Sequence, residues 1–405
     1  MSDEKIVYKL GGSCFKNEKD YRAVAEFLIK DTIASQWPIW VVVSAQYGET
    51  DRLIREVRGT KDTWDQIDYM AREGEFRSAE KLAGTLNGVE KTKSALVVTP
   101  WEIGMETQGE NPFCGELVGI QNIENIQNSV SNNFMIVPGY VGVNQTKTLK
   151  GKPALQALGR GASDLIAVEI ARATFATLKL IKSAQSIYAV SPEFVNNPKP
   201  IRRMTPDQAL RVLEYIRSDE QFIMAKAVKH AQRHNVPLEF RSIVNPGLFS
   251  RIDAISDSKK ETLFRALPVK ENVVRVCMII QPKKVRHLYE ELHRKKIPFN
   301  DGGSEVINGK IRAHIFAERA ETIKIKQLAE SLAEDINMTE GSLITLIDTS
   351  LDPEGNHFMR IHKALHNVRI LHTMSSGIIM HIFVSPRDTK KSVNALAQEF
   401  ELIEP

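Results

Sequence analysis

The sequence predicts an α/β domain followed by a pair of small α+β units. Three observations carry that prediction. Over roughly the first 245 residues, strand-like apolar runs alternate with longer amphipathic stretches, the pattern of a sheet covered by helices. After VNPG at 244–247 the rhythm changes to a charged, helix-like stretch. The remainder then repeats a strand and helix order of the βαββαβ kind twice, in pattern rather than in letters.

In chain order, the runs KIVYKL, WPIWVVVSA, SALVVTP, NFMIVPGYVGV, LKLIKSA and VPLEFRSIV read as strands buried on both faces. A helix from Ser250 to Arg265 leads to Leu267–Pro268. Beyond it come strand VVRVCMIIQ, helix KKVRHLYEELHRKKI, strand KIRAHIFA and a helix from Thr322 to Asp335. Strand SLITLIDTS, helix GNHFMRIHKALHNV, strands RILHTMS and GIIMHIFV and a helix from Thr389 to Phe400 complete the chain. The expected divisions are 1–249, a linker helix over 250–266, and small units over 267–338 and 339–405.

A chain of 405 residues exceeds what one core usually organises. With 42% hydrophobic and 26% charged residues, it has the composition of an ordinary globular protein. Net charge is only +4, with both signs interleaved. The basic cluster Lys283, Lys284, Arg286 and His293 to Lys296 reads as a solvated helix face, so no nucleic-acid partner is expected. Cys14, Cys114 and Cys277 are too few and too scattered for a disulfide framework or a metal site, which suits a reducing compartment. With no signal-peptide pattern and no long apolar window, the expected setting is cytoplasmic, without a membrane.

Three loops carry candidate chemistry. Lys9 projects from the end of a strand that runs into Gly11-Gly12-Ser13, and a glycine turn beside a cation suits phosphate. The loop VVVSAQYGETDRLI offers Ser44, Thr50 and Asp51; Thr50 or Asp51 can equally be a helix N-cap. In LGRGASDLIAVEIA, Arg160 lies beside a helix start that carries Ser163 and Asp164, an arrangement suited to carboxylate or phosphate.

KLGGS, VVVSAxxGxTDxLI, GEFRSAEKLAGTLN, IVPGYVGV and LGRGASD occur in the order and approximate spacing of aspartokinases, and the chain resembles that family over essentially its whole length. The resemblance implies an amino-acid-kinase sandwich, with helices on both faces of a central sheet, followed by two ferredoxin-like ACT domains. It implies phosphorylation of the L-aspartate side chain by ATP with Mg²⁺, giving 4-phospho-L-aspartate for lysine, threonine and methionine biosynthesis. By the same resemblance, Lys9 contacts ATP phosphates beside the phosphate-binding Gly11, Gly12 and Ser13. Ser44, Thr50, Glu75, Arg160 and Ser163 then hold aspartate, and Asp164 marks the place of phosphoryl transfer. Glu75 is the family's glutamate by spacing, rather than Glu116 of Cys114-Gly115-Glu116. Asn356, Thr373, Ser375 and Ser376 fall where the family's ACT loops take amino-acid effectors, and the ACT pair implies a homodimer or higher oligomer.

The nucleotide side departs from the pattern. A Thr-Asp at a strand end is replaced within IKSAQ. Tyr188-Ala189-Val190-Ser191-Pro192-Glu193 stands for Tyr-Thr-x-Asp-Pro-Arg, and Asp219-Glu220-Gln221 for Gly-Ala-Lys. Arg202, Arg203 and Lys226 are the nearby cations, and Gln46-Tyr47 enlarges the second loop. Two alternatives therefore stand beside aspartate kinase: a regulatory relative that binds an amino acid without turnover, and a kinase for another carboxylate.

Overall fold

The computed structural model describes residues 4–57, 63–90, 93–129, 133–159, 161–182, 186–216, 222–254, 264–349 and 356–404. They gather into two compact units. The first holds the described residues of Met1–Ile187, Ile201–Leu210 and Phe222–Ser258, and the second those of Tyr188–Pro200, Arg211–Gln221 and Lys259–Pro405.

The first unit is built on an eight-stranded sheet. Its order is Arg203–Met204, Phe249–Ile252, Leu238–Arg241, Thr177–Ile181, Ile6–Leu10, Ile39–Val43, Phe134–Pro138 and Ala95–Val97. All neighbours are parallel except Leu238–Arg241 with Phe249–Ile252. The three runs Ile39–Val43, Phe134–Pro138 and Thr177–Ile181 are buried throughout, which is why they read as unbroken apolar segments. Tyr8 and Leu10 face the helices Glu18–Asp31 and Arg77–Val89. Alternate residues point to the opposite face, so Lys9 turns toward the helix Ala162–Thr174. A second sheet, in the order Glu116–Ile120, Met105–Gln108, Val141–Leu149 and Lys152–Ala157, lies off the first.

Two readings of the sequence change here. NFMIVPGYVGV is two strands in two sheets, because the chain turns at Gly139-Tyr140, where Tyr140 adopts φ 69°. The described ends of the expected linker helix are strands, Phe249–Ile252 and Arg265–Ala266; residues 255–263 lie outside the described residues. Phe249–Ile252 alternates inward and outward residues and pairs on both sides, which overrides its charged, helix-like look.

The second unit has one sheet in the order Asn300–Ile307, Lys310–Glu318, Val269–Ile280, Ala333–Asp348, Ile379–Val384 and Ile370–Ser376, with Arg265–Ala266 also paired to Ala333–Asp348. It contains two ferredoxin-like halves that share the 16-residue strand Ala333–Asp348. The expected helix to Asp335 ends at Glu330, and the expected division at 338/339 falls inside that strand. The outer strand of the second half comes from residues ahead of the first half: Arg265 pairs with Asp348 and Val269 with Ile344. One half is thus inserted within the other. The open faces of the halves meet, with Phe316 and Phe383 ring centres 5.1 Å apart and His372 Nε2 donating to Gly302 O at 2.9 Å.

Candidate functional site

Four adjacent strands of the first unit end at one edge, and the residues that follow them are Lys182, Gly11, Ser44 and Gly139. The carboxyl edge of a parallel sheet is where open α/β folds place ligands. Two positions there require glycine for space. A Cβ on Gly12 would lie 2.7 Å from Ala45 O, and one on Gly139 would lie 2.4 Å from Ser163 Oγ. Gly11 donates its N–H to Ile181 O at 3.2 Å, so this amide is committed to the backbone rather than to a ligand. The amides of Gly12 and Ser13 open the short 3-10 turn Gly12–Cys14, where N–H groups have no partner within the turn.

The helical run that begins at Trp64 makes a π turn at Arg72–Phe76 before continuing as Arg77–Val89. Such a turn re-aims the side chains it carries and recurs at functional sites. Here it delivers Glu75, which is only 4% exposed, to the site. Gly74 permits the approach, since a Cβ there would already lie 3.2 Å from the Ala45 Cβ. Burial pushes the Glu75 carboxyl up to about 8, against the Ala45 and Glu75 amides and the Lys9 charge.

The third wall is the start of the helix Ala162–Thr174, entered through Gly161 at φ 71°. Its first turn carries Ser163 and Asp164, both buried. Lys9 Nζ lies 2.8 Å from Asp164 Oδ1, and Lys182 Nζ lies 3.7 Å from Asp164 Oδ2. Burial works against ionisation of Asp164, but Lys182 and Lys9 outweigh it and hold the carboxyl below its ordinary value.

These walls enclose a cavity of about 200 Å³ lined by Lys9, Ser44, Thr50, Asp51, Ile54, Glu75, Tyr140, Gly161, Ala162 and Ser163. The structure therefore brings together Lys9, Ser44, Thr50, Glu75 and Ser163, with Gly11 to Ser13 directly after Lys9. Arg160 lies outside the described residues. Thr50 is the second residue of the helix Glu49–Val57 rather than its cap. Tyr47 is exposed and does not line the cavity, while Tyr140, Ile54 and Lys182 belong to the site without having been singled out. For Tyr140 the available signal was an aromatic residue following a Pro-Gly strand end. Glu116 is exposed on an outer strand, away from these walls.

The other cations near the nucleotide motifs are occupied or outward. Arg203 pairs with both oxygens of Asp253 at 2.8 and 3.2 Å, Arg202 reaches Gly247 O at 3.5 Å, and Lys226 is exposed. Glu193 is also exposed, and its N–H donates to Ser191 Oγ at 3.4 Å. Residues 183–185 and 219–221 lie outside the described residues. Burial pushes the Cys14 thiol up to about 11, and it donates to Ile181 O at 3.3 Å. No group of three or more His, Cys, Asp or Glu side chains among the described residues could hold a metal ion. Of the expected effector residues, Thr373 lines a cleft of about 770 Å³ together with Arg275, His314 and His372. Ser375, Ser376 and Asn356 are exposed and do not line it.

No described helix is long and apolar enough to cross a membrane. A sequence profile of the amino acid kinase family matches residues 4–242. Aspartokinase of Geobacillus stearothermophilus is 25% identical over 283 residues, 68% of this chain and 65% of that one. Aspartokinase of Corynebacterium efficiens is 22% identical over 429 residues, spanning 98% of this chain and 96% of the relative. Among solved structures, E. coli aspartokinase III in complex with aspartate and ADP superposes with a TM-score of 0.71 at 15% identity, covering 98% of this chain and all of that one. Clostridium acetobutylicum aspartate kinase does so with the same TM-score at 17% identity, covering 98% of this chain and 99% of its own. The profile spans more than half of the chain and includes every wall of the cavity, so this protein belongs to the amino acid kinase family, and it shares the fold of these aspartokinase structures along nearly its whole length.

Proposed function

We propose that the chain phosphorylates the side-chain carboxylate of L-aspartate with ATP, giving 4-phospho-L-aspartate and ADP. The observation that carries this reading is the convergence of Lys9, Ser44, Thr50, Glu75 and Ser163 on one cavity beside the Lys9–Asp164 pair. An anionic donor suits the cradle, where a side chain on Gly12 would fill the space beside Ala45 and a lysine stands next to the amides that open the 3-10 turn. In the reaction the substrate carboxylate attacks the γ-phosphorus, a new P–O bond forms, and the bond to the β-bridging oxygen breaks as ADP leaves.

Lys9 and the amides of Gly12 and Ser13 meet the phosphates, while Asp164 fixes the Lys9 ammonium by a buried ion pair. Ser44, Glu75, Arg160 and Ser163 hold aspartate, with Glu75 facing its ammonium and Arg160 a carboxylate. Mg²⁺ bound to the nucleotide would supply further charge neutralisation at the phosphates beside Lys9. Catalysis is then mainly positioning and electrostatics. By the same reading the enzyme works in the cytoplasm at the entry to lysine, threonine and methionine synthesis. The second unit binds an amino-acid effector and joins chains into dimers or larger assemblies.

The test is turnover with ATP and L-aspartate in hydroxylamine, which traps the acyl phosphate as a hydroxamate, with ADP release measured in parallel. Equal amounts of both products are expected. ADP release that requires a different carboxylate would assign another substrate. One observation favours a regulatory relative without turnover: Arg203 is tied to Asp253 and Lys226 is exposed, so neither replaces the cations missing from the nucleotide motifs. No Mg-ATP binding, alongside retained aspartate binding, would decide for that reading.

A further inference from the structure

Lys182 stands immediately after the strand Thr177–Ile181, at the edge where the glycine turn lies. Its backbone is fixed there. The Lys182 N–H donates to Arg241 O at 3.1 Å, while the preceding Ile181 O accepts from Gly11 N–H at 3.2 Å and from the Cys14 thiol at 3.3 Å. The side chain reaches inward and is 22% exposed, ending 3.7 Å from Asp164 Oδ2. At that distance it is an ion pair without a tight hydrogen bond, because Asp164 gives its short contact, 2.8 Å, to Lys9. Lys182 therefore keeps donors for another partner.

The charge balance identifies the kind of partner. Two ammonium groups, Lys9 and Lys182, share one ionised carboxylate, Asp164. The neighbouring Glu75 is pushed up by burial and is mainly protonated at neutral pH, and the Cys14 thiol near both lysines is raised and neutral. Burial holds the Lys182 ammonium below its ordinary value, and among the described residues of this cluster positive charge outweighs negative. Burying such a charge is costly unless an anion joins it.

We propose that Lys182 is a second phosphate-binding cation of this site, contacting the polyphosphate of the nucleotide donor together with Lys9 and the Gly12 and Ser13 amides. It supplies from the end of one strand the positive charge that Asp219-Glu220-Gln221 lacks where the family has Gly-Ala-Lys. The inference deepens the kinase reading and rests on it for the identity of the donor. Lys182 belongs to the same cluster as Asp164, so the phosphate it holds would sit at the head of the aspartate cavity, where transfer must occur.

The test is calorimetric titration of the full-length protein with sodium pyrophosphate, Mg-ADP and L-aspartate, comparing wild type with Lys182→Met and Lys182→Arg. Removing one charge-assisted contact should weaken pyrophosphate and Mg-ADP about tenfold or more in Lys182→Met, with aspartate changed less than about twofold. Lys182→Arg should recover most of the loss, which a merely structural role would not require. Lys182→Gln, with its melting temperature, serves if the methionine variant does not fold. Unchanged pyrophosphate affinity in a folded variant, no pyrophosphate binding by wild type, or an equal loss for aspartate overturns the assignment. Binding of pyrophosphate through Lys182 without turnover of aspartate would instead sink the kinase reading and leave the phosphate site standing.

Discussion

Lys9 Nζ lies 2.8 Å from Asp164 Oδ1, and neither side chain is more than 8% exposed. A strand end and a helix start are thereby joined by an ion pair that water barely reaches. Asp164 also faces Lys182 at 3.7 Å, so removing Asp164 strands two buried ammonium groups, which costs about 3–5 kcal/mol, whereas removing Lys9 leaves Asp164 a counterion. Asp164→Asn should lower the urea midpoint clearly at neutral pH and Lys9→Met much less, and adding Lys9→Met to Asp164→Asn should regain part of the loss. On the proposed mechanism all three lack kinase turnover, because Lys9 would meet the phosphates and Asp164 would fix its ammonium. If the double variant is destabilised by the full sum of the single effects, the two groups are not energetically coupled.

Glu75 provides a second prediction, in pH. Burial raises its carboxyl from an ordinary 4.5 to about 8, so between those values the folded protein holds a proton that the unfolded chain has released. Stability contributed at this position is therefore lost as pH rises through that window and levels off above about 8. Glu75→Gln keeps an oxygen for the Ala45 amide and removes the titration. Its stability relative to wild type should climb by up to about 1.4 kcal/mol per pH unit across the window. Denaturant midpoints measured over this range check it; parallel curves for the two proteins would show that Glu75 does not titrate inside the fold.

Much of the kinase sheet was legible because its central strands are buried on both faces and spell continuous apolar runs, as in Trp40 to Val43 and Phe134 to Val137. The outlying sheet was not. Glu116–Ile120 and Lys152–Ala157 mix exposed polar and apolar residues, so they carry no such run. In the second unit, the polar half of Ala333–Asp348 looks like the tail of a helix, and only its pairing with Val273 to Ile280 makes it a strand. Loan of Arg265–Ala266 and Val269 to the second half is a long-range pairing that no local pattern announces.

The candidate site divides in the same way. Lys9, Ser44, Glu75 and Ser163 sit in motifs with glycines and small residues, which stand out in sequence. Lys182 reads as an ordinary strand-end lysine until Asp164 is placed 3.7 Å away. Lys9 and Asp164 read as loop-facing side chains, yet they are buried and paired.

The last prediction concerns where the chain can be cut. Tyr188–Pro200 belongs to the second unit although it lies within the sequence matched to the kinase family. Its backbone is held there: Ala189 donates to Lys199 O at 2.9 Å and accepts from Leu267 N–H at 2.6 Å, Pro198 bridges Ile403, and Asn394 Nδ2 reaches Phe194 O at 2.6 Å. Ala189, Val190 and Val195 are buried. A chain ending at residue 254 keeps this segment but loses Leu267, Asn394 and Ile403, exposing apolar side chains and unpaired backbone groups. It should bind a hydrophobic dye and aggregate on warming, while the full chain does neither. That outcome would also disqualify the truncation as a test of whether the second unit forms the dimer, and light scattering on full-length protein is the measurement to use. A truncated chain that stays monodisperse, binds no dye and unfolds in one sharp transition would show that 188–200 does not depend on the second unit for its burial.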